Sequence, residues 1–407
     1  MARGEMIAEL ASIIKDFRKG ELDFNLDEAH ITRWINQFPN DVKDIILSET
    51  VFVFSSWYYN HAKIEDFFNS VVDCLCKKYG FETAYNLCKH TSFVNVQKTG
   101  QSQKRLHHML RSQLYEQYQI TLRSDVSNEI SHYVYIDDGL YTGSRARKDL
   151  KELIPKLPPR SNLYVFYIFA GTSGLNYTER ELASLAEECS VTIAYHTKCR
   201  LENNKTIITR YEDDTQIDKY VCSQRCLWPD IELRNNEAVK AYEDFLLTLG
   251  DKHEKKLYRA TPWKADSGIF SCTENRKIVE YEFLLKGIDI AHRASANKGL
   301  YPLGYNLWPS FGFGSFCASD LNISNTCPLV LWWGNTEVRG NVLDRWYPLL
   351  PRRVNADGDK IDFEEEIDIL PILPSKDQYN MCPDCGKYFE IETDGGNGFC
   401  IDCSWNH

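Results

Sequence analysis

Three regimes of hydrophobic spacing follow one another along the chain. In "LDEAHITRWINQF", Ile31, Trp34, Ile35 and Phe38 recur at i, i+3, i+4 and i+7, the stripe of an amphipathic helix. "KIEDFFNSVVDCLCKKYG" repeats the pattern and closes on Lys77, Lys78 and Gly80, a helix stop. Residues 1–92 therefore read as a helical region. From residue 93 the period alternates. "TSFVNVQ", "EISHYVYI", "NLYVFYIFAG" and "VTIAYHT" read as strands; "KRLHHMLRSQLYEQY", "SRARKDLKELIPKL" and "TERELASLAEEC" read as helices between them. Such alternation marks a parallel sheet and an α/β fold class.

The third regime is irregular. "NEAVKAYEDFLLTLGDKHEKK" predicts one more helix, and residues 266–353, rich in Gly, Trp, Asn and Pro, predict loops around short strands. "FGFGSF" within them lacks the spacing and following helix of a dinucleotide fingerprint. Residues 357–368 hold seven acids against one lysine, a solvated hinge. The expected organisation is a helical region (1–92), an α/β domain with an irregular C-terminal insertion (93–353), an acidic linker (354–376) and a small module (377–407).

Composition narrows the classes. Of 407 residues 43% are hydrophobic, enough for a sizeable core. A net charge of −11 argues against a protein that coats nucleic acid nonspecifically. No apolar run reaches about 18 residues, so none is long enough to span a membrane. Glu5, Glu9 and Lys15 interrupt the N-terminal apolar residues, so no signal peptide is read there. Fourteen cysteines, mostly single in apolar segments, fit core positions in a reducing cytoplasm. His61 and His90 are isolated and read as structural. Cys222 and Cys226 form a possible second metal pair with no matching partner pair.

The chemistry concentrates in "YVYIDDGLYTGSRARKDL", residues 133–150. A strand delivers Asp137 and Asp138 to a sheet edge. Gly139, Leu140, Tyr141, Thr142 and Gly143 turn the chain, and a helix begins near Ser144. Backbone N–H groups of such a turn and the helix N-terminus form an anion site, with Arg145 or Arg147 as added charge. Paired acids beside it suit the hydroxyls of a sugar phosphate. The alternative is a strand-turn-helix whose acids cap the helix.

Two neighbouring turns share this edge. "VQKTGQSQKRL" places Lys98, Gly100 and Ser102 on a strand-to-helix turn, either an anion loop or a plain cap; "AGTSG" (170–174) follows the next strand. In "ENRKIVEYE", Glu274, Arg276, Glu280 and Glu282 are either pocket residues or, preferred here, one exposed helix face.

At the C-terminus, Cys382-x2-Cys385 and Cys400-x2-Cys403 stand fourteen residues apart. Two such knuckles complete a tetrahedral four-thiolate zinc site, closed and therefore structural. The residues between them read as a hairpin turning at Asp394-Gly395-Gly396. The module resembles a zinc ribbon, serving either as a folding staple or as a contact for protein or nucleic acid.

"VYIDD-GLY-TGS" resembles the phosphoribosyl-diphosphate (PRPP) motif of type I phosphoribosyltransferases. The resemblance implies that Asp137 and Asp138 hold the ribose 2′ and 3′ hydroxyls, that Gly139 to Ser144 wrap the 5′-phosphate, and that Lys98 and Gly100 hold diphosphate with Mg²⁺. Arg145 departs from the pattern, where many members carry a second small hydroxyl residue. "RWINQF", "KTGQSQ", the DD loop, "ENRKIVEYEFLLKG", "YPLGY" and "NTCPLVLWW", in that order, resemble the phosphoribosyltransferase-like family of bacterial conflict systems, PRTase-CE. That resemblance implies a cytoplasmic antiphage effector, in some cases beside a retron reverse transcriptase with its RNA and DNA. Three functions remain open: an enzyme acting at ribose C1 of PRPP or a nucleotide, a non-catalytic ribose-phosphate sensor, and a binding scaffold in a defence complex.

Overall fold

The computed structural model describes residues 1–97, 102–201, 225–249, 257–258, 268–293, 299–306, 309–334, 346–352, 379–381 and 388–390. Helices α1 (Arg3–Ile14), α2 (Glu28–Ile35) and α3 (Lys43–Trp57) open the chain, followed by a short strand β1 (Tyr58–Tyr59), α4 (His61–Tyr79) and α5 (Ala84–His90). The Asp27 side chain caps α2 through the His30 N–H, and Gly80, left-handed at φ 81°, ends α4 where the sequence predicts a stop.

The central sheet is parallel, as the alternation predicts. Strands β2 (Thr91–Val94), β3 (His132–Leu140), β4 (Asn162–Gly171) and β5 (Thr192–Leu201) lie in that order, joined by α6 (Ser102–Tyr118), α7 (Ser144–Leu153) and α8 (Thr172–Glu188). Alternate residues feed two cores. Val134, Ile136 and Phe166 pack with Leu106, Leu110 and Leu114 of α6 on one face; Tyr133, Tyr135 and Val165 pack with Leu150 of α7 and Leu182 of α8 on the other.

The two helices flanking β3 therefore lie on opposite faces. A single parallel bridge, Ser92 to Arg123, explains this, because it places Arg123 on the flank of β2 away from β3. The chain thus leaves β2 in one direction, then crosses back to β3 and continues the other way. With one crossover hand, opposite directions put helices on opposite faces. The strand order reverses between β2 and β3, the topological switch point at which doubly wound sheets bind ligands.

After β5 come α9 (Glu237–Thr248), α10 (Thr273–Arg293), strands β6 (Leu300–Tyr301), β7 (Gly304–Tyr305) and β8 (Ala318–Ser319), the one-turn helix α11 (Leu329–Trp332), and the antiparallel pair β9 (Tyr379–Met381) and β10 (Tyr388–Glu390). A third core joins both ends of the α/β region. Leu10, Trp34 and Phe54 from the first helices pack with Phe283, Phe316 and Trp332, and β1 pairs with β8. Residues 6–58 thus share their core with 227–350, while Tyr59 to Cys88 of the α4–α5 region pack against the sheet.

One expectation is overturned here. Arg276 and Glu280 are both 1% exposed and Glu282 is also buried, leaving only Glu274 of the four on a solvent face. Arg276 Nε donates to Glu280 Oε1 at 2.9 Å, the same oxygen accepts the Trp228 N–H at 3.0 Å, and Arg276 Nη2 donates to the Cys226 carbonyl at 2.8 Å. Charges spaced i, i+4 look the same in sequence whether they face water or one another; here the crossing Cys226–Trp228 segment takes a donor from Arg276 and an acceptor from Glu280.

Candidate functional site

The site begins with an irregularity in the sheet. Residues pair Asp137 with Tyr167 and then Gly139 with Phe169; the row of Asp138, Ile168 and Lys198 is passed over. Across it the alternation slips: Tyr167 belongs to one core, Ile168 and Phe169 both to the other, and Ala170 to the first. Breaks of this kind re-aim side chains. The Asp138 N–H, released from the ladder, donates instead to Asp137 Oδ1 at 2.9 Å.

Asp137 is 4% exposed. Its Oδ2 accepts from Gln97 Nε2 at 2.5 Å, and its Oδ1 from Ser102 Oγ at 3.2 Å. Gln97 follows β2 and Ser102 opens α6, so the acid ties the end of the β2 segment to the start of α6. Gln103 braces the arrangement: its Oε1 accepts the Val96 and Gln97 N–H groups at 3.0 and 3.1 Å, and its Nε2 donates to the Ile136 carbonyl at 3.2 Å. Gln97 Oε1 is buried with no hydrogen-bond partner, an acceptor whose capacity is unused. Lys98 and Gly100 lie outside the described residues.

The carboxylates resist ionisation. Burial, and then the neighbouring Asp138 charge, push the Asp137 carboxyl well above its ordinary value. Burial raises half-buried Asp138 as well, against the opposing effects of Asp137's hydrogen bond and Arg145. Two acids sharing a dry edge are stabilised by hydrogen-bond donors or a cation.

Beyond them the chain turns within three residues. Gly139 and Leu140 still belong to β3, with Leu140 buried in the core. Tyr141 folds back over Gly139, where a Cβ would stand 2.5 Å from the ring, and meets Phe313 edge-on at 5.9 Å. Gly143, at φ 78°, precedes α7, whose first turn closes by the Arg147 N–H to the Gly143 carbonyl at 2.9 Å. A Cβ on Gly174 would lie 2.0 Å from the Tyr141 carbonyl oxygen. "AGTSG", expected as a loop, is instead the end of β4 and the first turn of α8, and that turn is the floor on which the DD loop rests.

The fold brings Asp137, Asp138, Thr142, Gly143, Ser144 and Ser102 to one crevice. Sequence reading missed Gln97 and Gln103, because glutamine after a strand carries no distinctive pattern. Phe313, from the irregular segment, borders the same crevice. On the α6 side, Arg105 pairs with Glu21 and donates to the Leu321 carbonyl at 3.0 Å.

A family model described as PRTase-CE matches residues 31–352. The chain belongs to the PRTase-CE family. No curated protein and no solved structure matches it. The PRTase-CE match spans the helices, the sheet and the irregular segment together, consistent with the core that α4, the sheet and Phe313 and Cys317 share.

The four C-terminal cysteines, Cys382, Cys385, Cys400 and Cys403, lie outside the described residues, as do Cys222 and the turn at Asp394-Gly395-Gly396. What is described is β9 against β10, with Met381 opposite Tyr388. Among the described residues no cluster of His, Cys, Asp and Glu is arranged to hold a metal, and no helix is long and apolar enough to cross a membrane.

Proposed function

We propose that this PRTase-CE protein binds a ligand bearing a ribose 5-phosphate, PRPP or a nucleotide, in the crevice between β2 and β3, and acts at ribose C1. The observation that carries this is the meeting, at a topological switch point, of a buried carboxylate pair with the N-terminal turn of a helix. Asp137 and Asp138 accept hydrogen bonds from the ribose 2′ and 3′ hydroxyls. Thr142, Gly143 and Ser144 meet the phosphate with N–H and hydroxyl donors, while Gly139, Leu140 and Tyr141 set the path of the turn. Lys98 and Gly100 face the diphosphate.

Bond cleavage at C1 builds positive charge on the ribose, which the carboxylate pair beneath it stabilises. Mg²⁺, a hard cation suited to carboxylate and phosphate oxygens, would neutralise the diphosphate as it departs. In the C-terminal module, Cys382, Cys385, Cys400 and Cys403 hold structural Zn²⁺, a reading that rests on their paired Cys-x2-Cys spacing. The family match and the ordered motifs support a role as a cytoplasmic antiphage effector, retron-type, partnered by other proteins of a defence complex such as a reverse transcriptase with its RNA and DNA.

The test is isothermal calorimetry with PRPP and Mg²⁺ on the wild type and on Asp137→Asn/Asp138→Asn, followed by chromatography of the products. Binding by the wild type and its loss in the double variant are expected. Full phage protection by the double variant would show that this site is not what the protein uses. Binding without product from PRPP or any nucleotide would leave a sensor in place of an enzyme.

A further inference from the structure

Arg147 is an unusual cation. It sits on the first turn of α7, is 5% exposed, and forms no ion pair with any described residue. The Tyr177 ring of α8 lies against it, 4.5 Å from guanidinium carbon to centroid. Glu181 acts on it only at longer range, and burial lowers its pKa. A buried charge without a counter-ion is unfavourable, so this cation gains from an anion placed above the loop.

Its donors are spent on the loop. Arg147 Nη1 donates to the Thr142 carbonyl at 3.1 Å, and Nη2 approaches Ser144 Oγ at 3.5 Å. Both contacts have a directional consequence. A trans peptide carries its C=O and the following N–H on opposite sides, so drawing the Thr142 carbonyl toward α7 turns the Gly143 N–H away from Arg147. A Ser144 oxygen that accepts from Arg147 keeps its own hydrogen to donate elsewhere. The fit is close: a Cβ on Gly143 would stand 2.9 Å from Arg147 Nη1 and 2.2 Å from Thr178 Oγ1.

We infer that Arg147 is a positioning residue, the buried counter-charge of the Thr142–Ser144 loop, and that it makes this loop selective for a dianionic phosphate ester over a neutral sugar. The proposal rests on the ribose-phosphate reading of the site and adds the group that sets its charge preference. Arg147 acts from beneath, through a carbonyl and a hydroxyl, without touching the ligand. A dianion above the loop supplies the missing counter-charge; a neutral ligand leaves the cation uncompensated. Asp137 and Asp138 have the opposite deficit on the other side of the turn, and one ligand with hydroxyl donors and a phosphate relieves both.

The experiment uses the full chain and compares Arg147→Met and Arg147→Lys with the wild type. Melting temperature is read without ligand and with ribose 5-phosphate, ribose or inorganic phosphate, and ribose 5-phosphate affinity by calorimetry. Arg147→Met should melt at or above the wild-type temperature without ligand, yet bind ribose 5-phosphate at least about tenfold more weakly, with Arg147→Lys recovering part of the loss. An arginine that only holds the fold gives the reverse: a lower ligand-free melting temperature and unchanged affinity, which overturns the proposal alone. If Arg147→Met does not fold, Arg147→Lys decides. Affinity several-fold below wild type supports the role, and wild-type affinity overturns it. A wild type that binds neither ribose 5-phosphate nor phosphate removes the reading of the site and this proposal with it.

Discussion

Asp138 occupies the one row that β3 and β4 pass over, and its carboxyl is held above the ordinary range by burial. The sign of the consequence is fixed. The folded chain retains a proton that the unfolded chain releases, so the favourable contribution is complete below the ordinary carboxylate pKa and is lost as pH rises through the raised value. Ionisation of the pair as pH rises opposes folding. Asp138→Asn removes that cost, and thermal melts should place the ligand-free variant at or above the wild type at pH 7, with the gap closing as pH falls. Binding of ribose 5-phosphate should disappear in the same variant. A variant that melts well below the wild type at every pH would mean that the ionised acid supports the fold. The two aspartates were legible in the sequence because polar residues interrupt a strand pattern there. The skipped row was not, since "VYIDDGLY" keeps an unbroken residue count while its side chains change faces.

Among elements, the contact of the DD loop with α8 shows what spacing alone leaves out. The alternation of strands and helices predicts α7 and α8; α7 begins where expected, while α8 begins at Thr172, six residues before the predicted helix and inside "AGTSG". It does not show that Gly174, inside α8, is the point where two backbones meet. Alanine there would improve helix propensity by about 1 kcal/mol. Its Cβ, however, would lie 2.0 Å from the Tyr141 carbonyl oxygen, and overpacking against backbone costs about 1–3 kcal/mol or more. The clash wins: Gly174→Ala should lower stability by about 1–2 kcal/mol in a denaturant titration and weaken ribose 5-phosphate binding as the loop shifts. Unchanged midpoint and affinity would show that the loop yields freely. In α10 the i, i+4 charges were visible, but their burial depends on a partner about fifty residues away, the Cys226–Trp228 segment. Arg276→Met alone should cost about 3–5 kcal/mol, and Arg276→Met with Glu280→Leu less, because the single change strands a buried carboxylate. Equal losses in the two proteins would assign the effect to packing instead.

At the level of the whole chain, three cores divide the labour. Two sandwich the sheet, and the third binds α1–α3 to α10 and the irregular segment, so the described hydrophobic clusters draw on residues 6–350. The cysteine-bearing module lies beyond Leu350, and we propose that it folds as a unit separate from the crevice. Zinc bound there by four thiolates would contribute to folding of that module alone, since a site of this size forms only with its metal. Elemental analysis of the full chain should find about one zinc per molecule. Cys382→Ser with Cys400→Ser should abolish it, leaving the main melting transition within about 2 °C of the wild type and ribose 5-phosphate affinity unchanged. If the variant retains zinc, the four cysteines are not its ligands. If it loses zinc and the main transition falls with it, the module is packed onto the cores after all, and the metal acts as a staple for the whole protein.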